Sequence, residues 1–237
     1  MMDYAIVVVP AAPVRKKAKH QSEMTNQLLF GESVKVLKEK GSLWIKVRSL
    51  YDNYEGWITN TLVKAVNEEE AKGFCAFVTA GLINTIELEN MMLQVPAGAA
   101  LPAFQNGEGK IGDWVYKTET AVHERTNAAP AEELLKRITT EWLNAPYQWG
   151  GKTIFGVDCS GFVQINYKRM GIDLPRDAWQ QAQEGRMVNK LKEAKCGDLA
   201  FFDDKEEIVH VGILLDANTI IHALGKVRID QIDKKGI

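Results

Sequence analysis

The chain has 237 residues, 46% of them hydrophobic and 25% charged, and a formal net charge of -2. Composition and length fit a soluble protein of two or three small domains. With no basic excess there is no electrostatic footprint for tracking a phosphate backbone, so nucleic acid is not expected as a partner. No apolar run approaches the ~20 residues that cross a bilayer, so no membrane span is expected. Three scattered cysteines, Cys75, Cys159 and Cys196, match neither a disulfide framework nor a close metal-ligand pair.

The first ten residues carry an acid, Asp3, where a signal peptide has a basic region, and their apolar stretch stops at Pro10. A cytoplasmic location is expected. A leader removed beforehand would leave the same picture and would make the protein an exported one. Residues 1–66 then read as short strands over 33–38, 43–48 (alternating with period two) and 56–59, leading to Leu62-Val63, which together predict a small β-barrel. The basic run at 15–20 fits a solvated loop. Residues 67–72 are charged and turn-like and mark a boundary. Candidate strands over 74–79, 83–88, 99–104 and 112–116, with turns at Pro96, Gly98 and 106–109, predict a second small barrel over 67–123.

The remaining stretch, 124–237, changes character. Pro130-Ala131-Glu132-Glu133 has the proline and acids of a helix start, and Leu134, Leu135, Ile138, Trp142 and Leu143 follow at helical spacing. Phe162, Val163, Tyr167 and Met170 outline a second helix stopped at Gly171, and 177–185 a short third. Strands are expected over 199–202, 209–215, 219–224 and 226–229. Helices followed by an antiparallel sheet define an α+β unit.

Chemistry concentrates in Tyr147-Gln148-Trp149-Gly150-Gly151 and Asp158-Cys159-Ser160-Gly161-Phe162, a glycine-rich loop running into a helix that opens at or beside Cys159. Unpaired N–H groups at a helix start favour a thiolate, and a neighbouring imidazole could activate it further. His210 and His222 lie in adjacent strand candidates. If their hairpin pivots near Asp216, they become direct cross-strand neighbours on one face, and one imidazole can orient the other. A one-residue slip would separate them. Singly, each residue also fits a plain role: a small buried cysteine, a satisfied histidine, a glycine turn. Cys159, His210, His222 and a water would describe a catalytic zinc, but the ligand spacing is poor, and no metal or cofactor is expected.

Residues 130–237 resemble the NlpC-type peptidases, papain-like cysteine hydrolases of bacterial cell-wall peptides. The resemblance is carried by Pro146-Tyr147-Gln148-Trp149-Gly150-Gly151, Asp158-Cys159-Ser160-Gly161-Phe162, Leu174-Pro175-Arg176-Asp177, Gly197-Asp198-Leu199-Ala200-Phe201-Phe202, His210-Val211-Gly212-Ile213 and Ile221-His222-Ala223. It implies Cys159 as nucleophile, His210 as general base, His222 as its orienting partner and Tyr147 near the oxyanion. Residues 1–123 resemble the bacterial SH3-type domains that precede this unit in some members, through 22–32 and 53–58. The implied architecture is two SH3-like barrels followed by a papain-like catalytic domain. The implied substrate is a cell-wall peptide with a free N-terminal L-alanine, cut between γ-D-glutamate and a diamino acid, usually meso-diaminopimelate. Asp158 and Glu23 would pair with the ammonium end, with Tyr54 as a hydrogen-bonding wall, and Arg176 would lie near the glutamyl α-carboxylate; Ser160 and Asp177 are also expected to bind substrate. Ala178 stands where many relatives have serine. A monomer is expected. The alternatives are an exported hydrolase of polymeric wall and a binding module that has lost catalysis.

Overall fold

The computed structural model describes residues 2–126, 132–233 and 235–237. They fall into two units, Met1–Thr126 and Asn127–Ile237. In the first unit, seven strands form one antiparallel sheet: β1 (Tyr4–Val7), β2 (Ala11–Arg15), β3 (Met24–Leu29), β4 (Ser33–Lys40), β5 (Trp44–Ser49), β6 (Glu55–Thr59) and β7 (Val63–Val66). Their order is β3-β2-β6-β5-β4-β1-β7. Burial alternates along β2 and β5, because successive side chains leave opposite faces of a strand. Val14, Leu28, Val34, Ile45, Val47 and Ile58 thus meet in one apolar core.

The charged stretch expected to be a turn is helical, α1 (Glu68–Lys72). Asn67 accepts the Glu70 N–H at 2.8 Å and Glu70 accepts the Asn67 N–H at 3.1 Å, a reciprocal cap that holds so short a helix.

Beyond it lie β8 (Phe77–Thr79), β9 (Ile83–Leu88), β10 (Met91–Pro96), β11 (Glu108–Ile111), β12 (Trp114–Lys117) and β13 (Val122–Glu124). They pair as a four-stranded sheet, β10-β9-β12-β11, and a two-stranded one, β13-β8. The strand expected over 99–104 is not formed. Ala100 makes a single bridge to Val78 and donates its N–H to the Phe30 carbonyl at 2.9 Å. That docking explains Gly31, whose φ is +76° and whose Cβ would stand 2.0 Å from the Ala100 oxygen.

The second unit opens with α2 (Glu132–Thr140), shorter than its apolar pattern; Pro130 and Ala131, the expected start, lie outside the described residues. A short hairpin, β14 (Lys152–Thr153) with β15 (Gly156–Val157), leads into α3 (Cys159–Arg169), every residue of which is buried. Gly171 closes that stretch with φ +81°, as expected. The helix expected over 177–185 is reduced to α4 (Ala178–Gln181). Four antiparallel strands follow in sequence order: β16 (Leu199–Asp204), β17 (Glu207–Leu214), β18 (Thr219–Leu224) and β19 (Lys226–Gln231). α3 packs on β17 and β18.

The β17–β18 hairpin pivots one residue later than expected. Ile213 pairs with Ile221 and Leu214 with Ile220, so His210 and His222 are diagonal rather than direct partners. The Asp216 carboxylate sets this turn by accepting the N–H groups of Asn218 and Thr219 at 2.7 and 2.9 Å. A pivot moved by one residue moves each partner by two, so parity is preserved and the two imidazoles remain on one face.

Candidate active site

Asp158 forms the N-cap of α3. Its carboxylate accepts the N–H groups of Gly161 at 2.7 Å and Gly150 at 2.8 Å. Arg176 closes on the same carboxylate from two nitrogens, at 3.1 and 2.6 Å, and donates to the Ser160 hydroxyl at 2.9 Å. These three side chains are buried together beside Cys159, the first residue of the helix. Among the described acceptors Asp158 is therefore heavily engaged: it caps the helix and balances a buried guanidinium.

The sheet supplies the histidines. His210 Nε2 and His222 Nδ1 are 2.7 Å apart, with rings inclined at 75°. Continuing the observed register sets Gly212 opposite His222, and a Cβ on Gly212 would lie 2.8 Å from the His222 Cβ. The glycine lets the ring settle close to β17. His222 Nε2 in turn meets the Asp230 carboxylate on β19 at 2.8 Å, and Arg228 Nε holds the same oxygen at 2.6 Å. Sequence reasoning missed Asp230 because the expected strand stopped at residue 229. The signal available was its alternation with Arg228 in a hairpin turning at Gly225.

Burial governs the titration of the site. It pushes the Cys159 thiol up to about 11, with Asp158 adding to the effect, while N–H groups of Val211 and Ser160 and the Arg176 charge oppose it. The expected thiolate stabilisation by the helix start is thus outweighed by desolvation. Burial, with some repulsion from His222, takes His210 down to about 4. His222 is also lowered by burial, against the pull of Asp230. Asp230 lies below its ordinary value, held there first by the hydrogen bond from His222. At rest, then, a neutral thiol stands near neutral imidazoles.

Tyr147 is seated by its N–H on the Gly225 carbonyl at 2.9 Å. Burial, then the nearby Cys159 and Asp158, push its hydroxyl up to about 12, so it stays a proton donor. The other expected pocket residues have partners within their own units. Asp177 precedes α4 and donates its N–H to Gln180 at 3.2 Å. Glu23 and Tyr54 belong to the first unit, where Glu23 pairs with Lys16 at 3.3 Å and the Tyr54 hydroxyl donates to the Thr25 carbonyl at 3.4 Å. Among the described residues, no group of three His, Cys, Asp or Glu side chains could hold a metal ion. No helix among them is long and apolar enough to cross a membrane.

A buried cysteine opening a helix, packed on a sheet that carries a hydrogen-bonded histidine pair, is the equipment of a cysteine hydrolase. Comparison with known proteins agrees. The NlpC/P60 family model matches residues 144–237, and the model of the bacterial dipeptidyl-peptidase Sh3 domain matches residues 14–61. A γ-D-glutamyl-L-lysine dipeptidyl-peptidase of Bacillus subtilis is 30% identical over 213 residues, spanning 83% of this chain and 71% of that protein. Dipeptidyl-peptidase 6 of Lysinibacillus sphaericus is 25% identical over 260 residues, spanning 98% and 92%. The crystal structure of an NlpC/P60 family protein from Bacillus cereus shares the fold, with a TM-score of 0.82 at 22% identity over 98% of this chain and 95% of that one. The chain belongs to the NlpC/P60 family of cell-wall peptidases. It is accordingly a cysteine peptidase, a β-rich protein that carries an SH3-like domain ahead of its peptidase domain.

Proposed function

We propose that the protein hydrolyses the bond between γ-D-glutamate and a diamino acid in cell-wall peptides with a free N-terminal L-alanine, releasing L-Ala-D-Glu. The observation that carries this reading is the contact between His210 and His222 on strands packed against the helix that Cys159 opens. In it, the Cys159 sulfur attacks the γ-glutamyl carbonyl as its proton passes to His210. The Tyr147 hydroxyl donates to the oxygen that becomes negative, an interaction worth most in the tetrahedral intermediate. The C–N bond breaks, and His210 returns the proton to the departing amine. Water, deprotonated by His210, then cleaves the thioester.

The names of the relatives support the bond and the dipeptide product. They favour lysine as the diamino acid alongside the meso-diaminopimelate expected from resemblance. Glu23 and Tyr54 are assigned to recognition of the ammonium end, with Asp158 contributing field and Arg176 and Ser160 holding Asp158 in place. This assignment, a cytoplasmic role in recycling released peptides, a monomeric state and two SH3-like barrels over 1–66 and 67–123 are all part of the proposal.

Incubation with L-Ala-γ-D-Glu-meso-diaminopimelate and with its L-lysine counterpart tests it. Wild type should release L-Ala-D-Glu from at least one, Cys159→Ala should be slower by about 10⁴-fold or more, and N-acetylation should depress turnover at least about tenfold. No release by wild type, or equal release by Cys159→Ala, overturns the reading. Turnover of polymeric wall without tripeptide cleavage would replace it with that of an exported hydrolase.

A further inference from the structure

A carboxylate lies beyond the two imidazoles, and its chemistry is directional. An ionised Asp230 can only accept, so the nitrogen it meets, His222 Nε2, must carry the proton. A neutral His222 then has a bare Nδ1. That atom sits 2.7 Å from His210 Nε2, which must therefore be the donor. A neutral His210 protonated at Nε2 is bare at Nδ1. One carboxylate thus determines proton positions through two rings. The lowered titration of Asp230 and of both histidines agrees with the ionised and neutral forms this chain of bonds requires.

We infer that Asp230 is a positioning residue of the peptidase: its carboxylate fixes the tautomers of His222 and His210 and leaves His210 Nδ1 as the bare nitrogen that takes the Cys159 proton. The inference rests on the reading of Cys159 as nucleophile and His210 as base. Asp230 touches no substrate and acts only through His222. Arg228 supports it, since its Nε holds the same oxygen and keeps the carboxylate turned toward the ring. Without the carboxylate, His222 is free to protonate Nδ1 instead and donate to His210 Nε2. His210 would then carry its proton on Nδ1 and could not accept from the thiol.

Asp230→Ala is the sharpest probe, because it removes the carboxylate that keeps the proton on His222 Nε2, whereas an Asn could leave its oxygen where both Arg228 Nε and His222 Nε2 donate. The full chain, labelled with ¹⁵N in its imidazoles, should show Nε2–H tautomers for both His210 and His222 near neutral pH. In Asp230→Ala a substantial fraction of His210 should become Nδ1–H. Its kcat on the tripeptide should fall roughly 10–100-fold, the usual cost of removing an outer partner of a functional histidine, with KM within about twofold. Asp230→Glu should recover part of the rate and the wild-type tautomer. An Nδ1–H tautomer for His210 in wild type overturns the inference whether or not the peptide is cleaved. So does a fall in kcat with tautomers unchanged, or changed tautomers with kcat intact. Failure of wild type to cleave any peptide instead sinks the functional reading, and the tautomer assignments still decide this one.

Discussion

On the first sheet, Lys46 and Arg48 share Glu55 with side chains 36%, 46% and 32% exposed, whereas Arg176 and Asp158 in the second unit meet at 2.6 Å with side chains 2% and 5% exposed. The first pairs are cross-strand neighbours, held where water screens them. The second was taken out of water, which is costly unless every donor and acceptor is matched. The difference shows what each unit was built to do. The sheet of the first unit buries Val, Leu and Ile and keeps these ion pairs at its surface, while its buried Glu32 accepts the Leu29 N–H at 2.9 Å. The second unit buries a charged pair, the His222 imidazole and a thiol, with His210 half-buried, and these are the groups to which the proposed reaction assigns its roles.

The largest expected effect comes from breaking the interior pair. Arg176→Met leaves Asp158 without its counter-charge and should cost about 3–5 kcal/mol, measured by urea unfolding of the full chain. A loss comparable to that of a surface pair would mean that Asp158 finds other compensation. Next is the pH dependence. Because burial lowers His210 from 6.5 to about 4, its basic form persists as pH falls, and kcat/KM should hold until pH approaches 4 and drop below it. An acid limb between pH 6 and 7 would instead place His210 in a wetter environment. The smallest effect belongs to the first unit. Glu55→Gln removes the shared carboxylate and should change stability by only about 0.2–1 kcal/mol, diminishing further in high salt.

The sequence exposed this site unevenly, and the reasons are physical. Cys159 at a helix start was legible because a glycine-rich loop, small residues and an apolar run are all local signals. The shared face of His210 and His222 was legible from parity, which survived a pivot shifted by one residue. Asp230 was not, since it enters only through a second hairpin whose extent depends on pairing. The Asp158–Arg176 contact joins residues 18 apart, spanning all of α3 and the loop after it, beyond any periodicity. Strands β10 and β11 escaped notice for a similar reason: MMLQVP and EGKI have weak patterns of their own and are made strands by their partners. Conversely, 99–104 has the composition of a strand, yet its Ala100 is tied by the N–H to Phe30 instead.

All eleven residues of α3 are buried, and Cys159, the proposed nucleophile, is the first of them. Reactive groups mounted on surface loops can be shaken loose by local fraying while the rest of a protein stays intact. This thiol has no such loose mounting. Its seat is cast from the same piece as the interior of its domain, capped by Asp158 and clamped by Arg176. Damage that spares the interior spares the chemistry, and a mutation that softens the interior disarms the enzyme at a stroke.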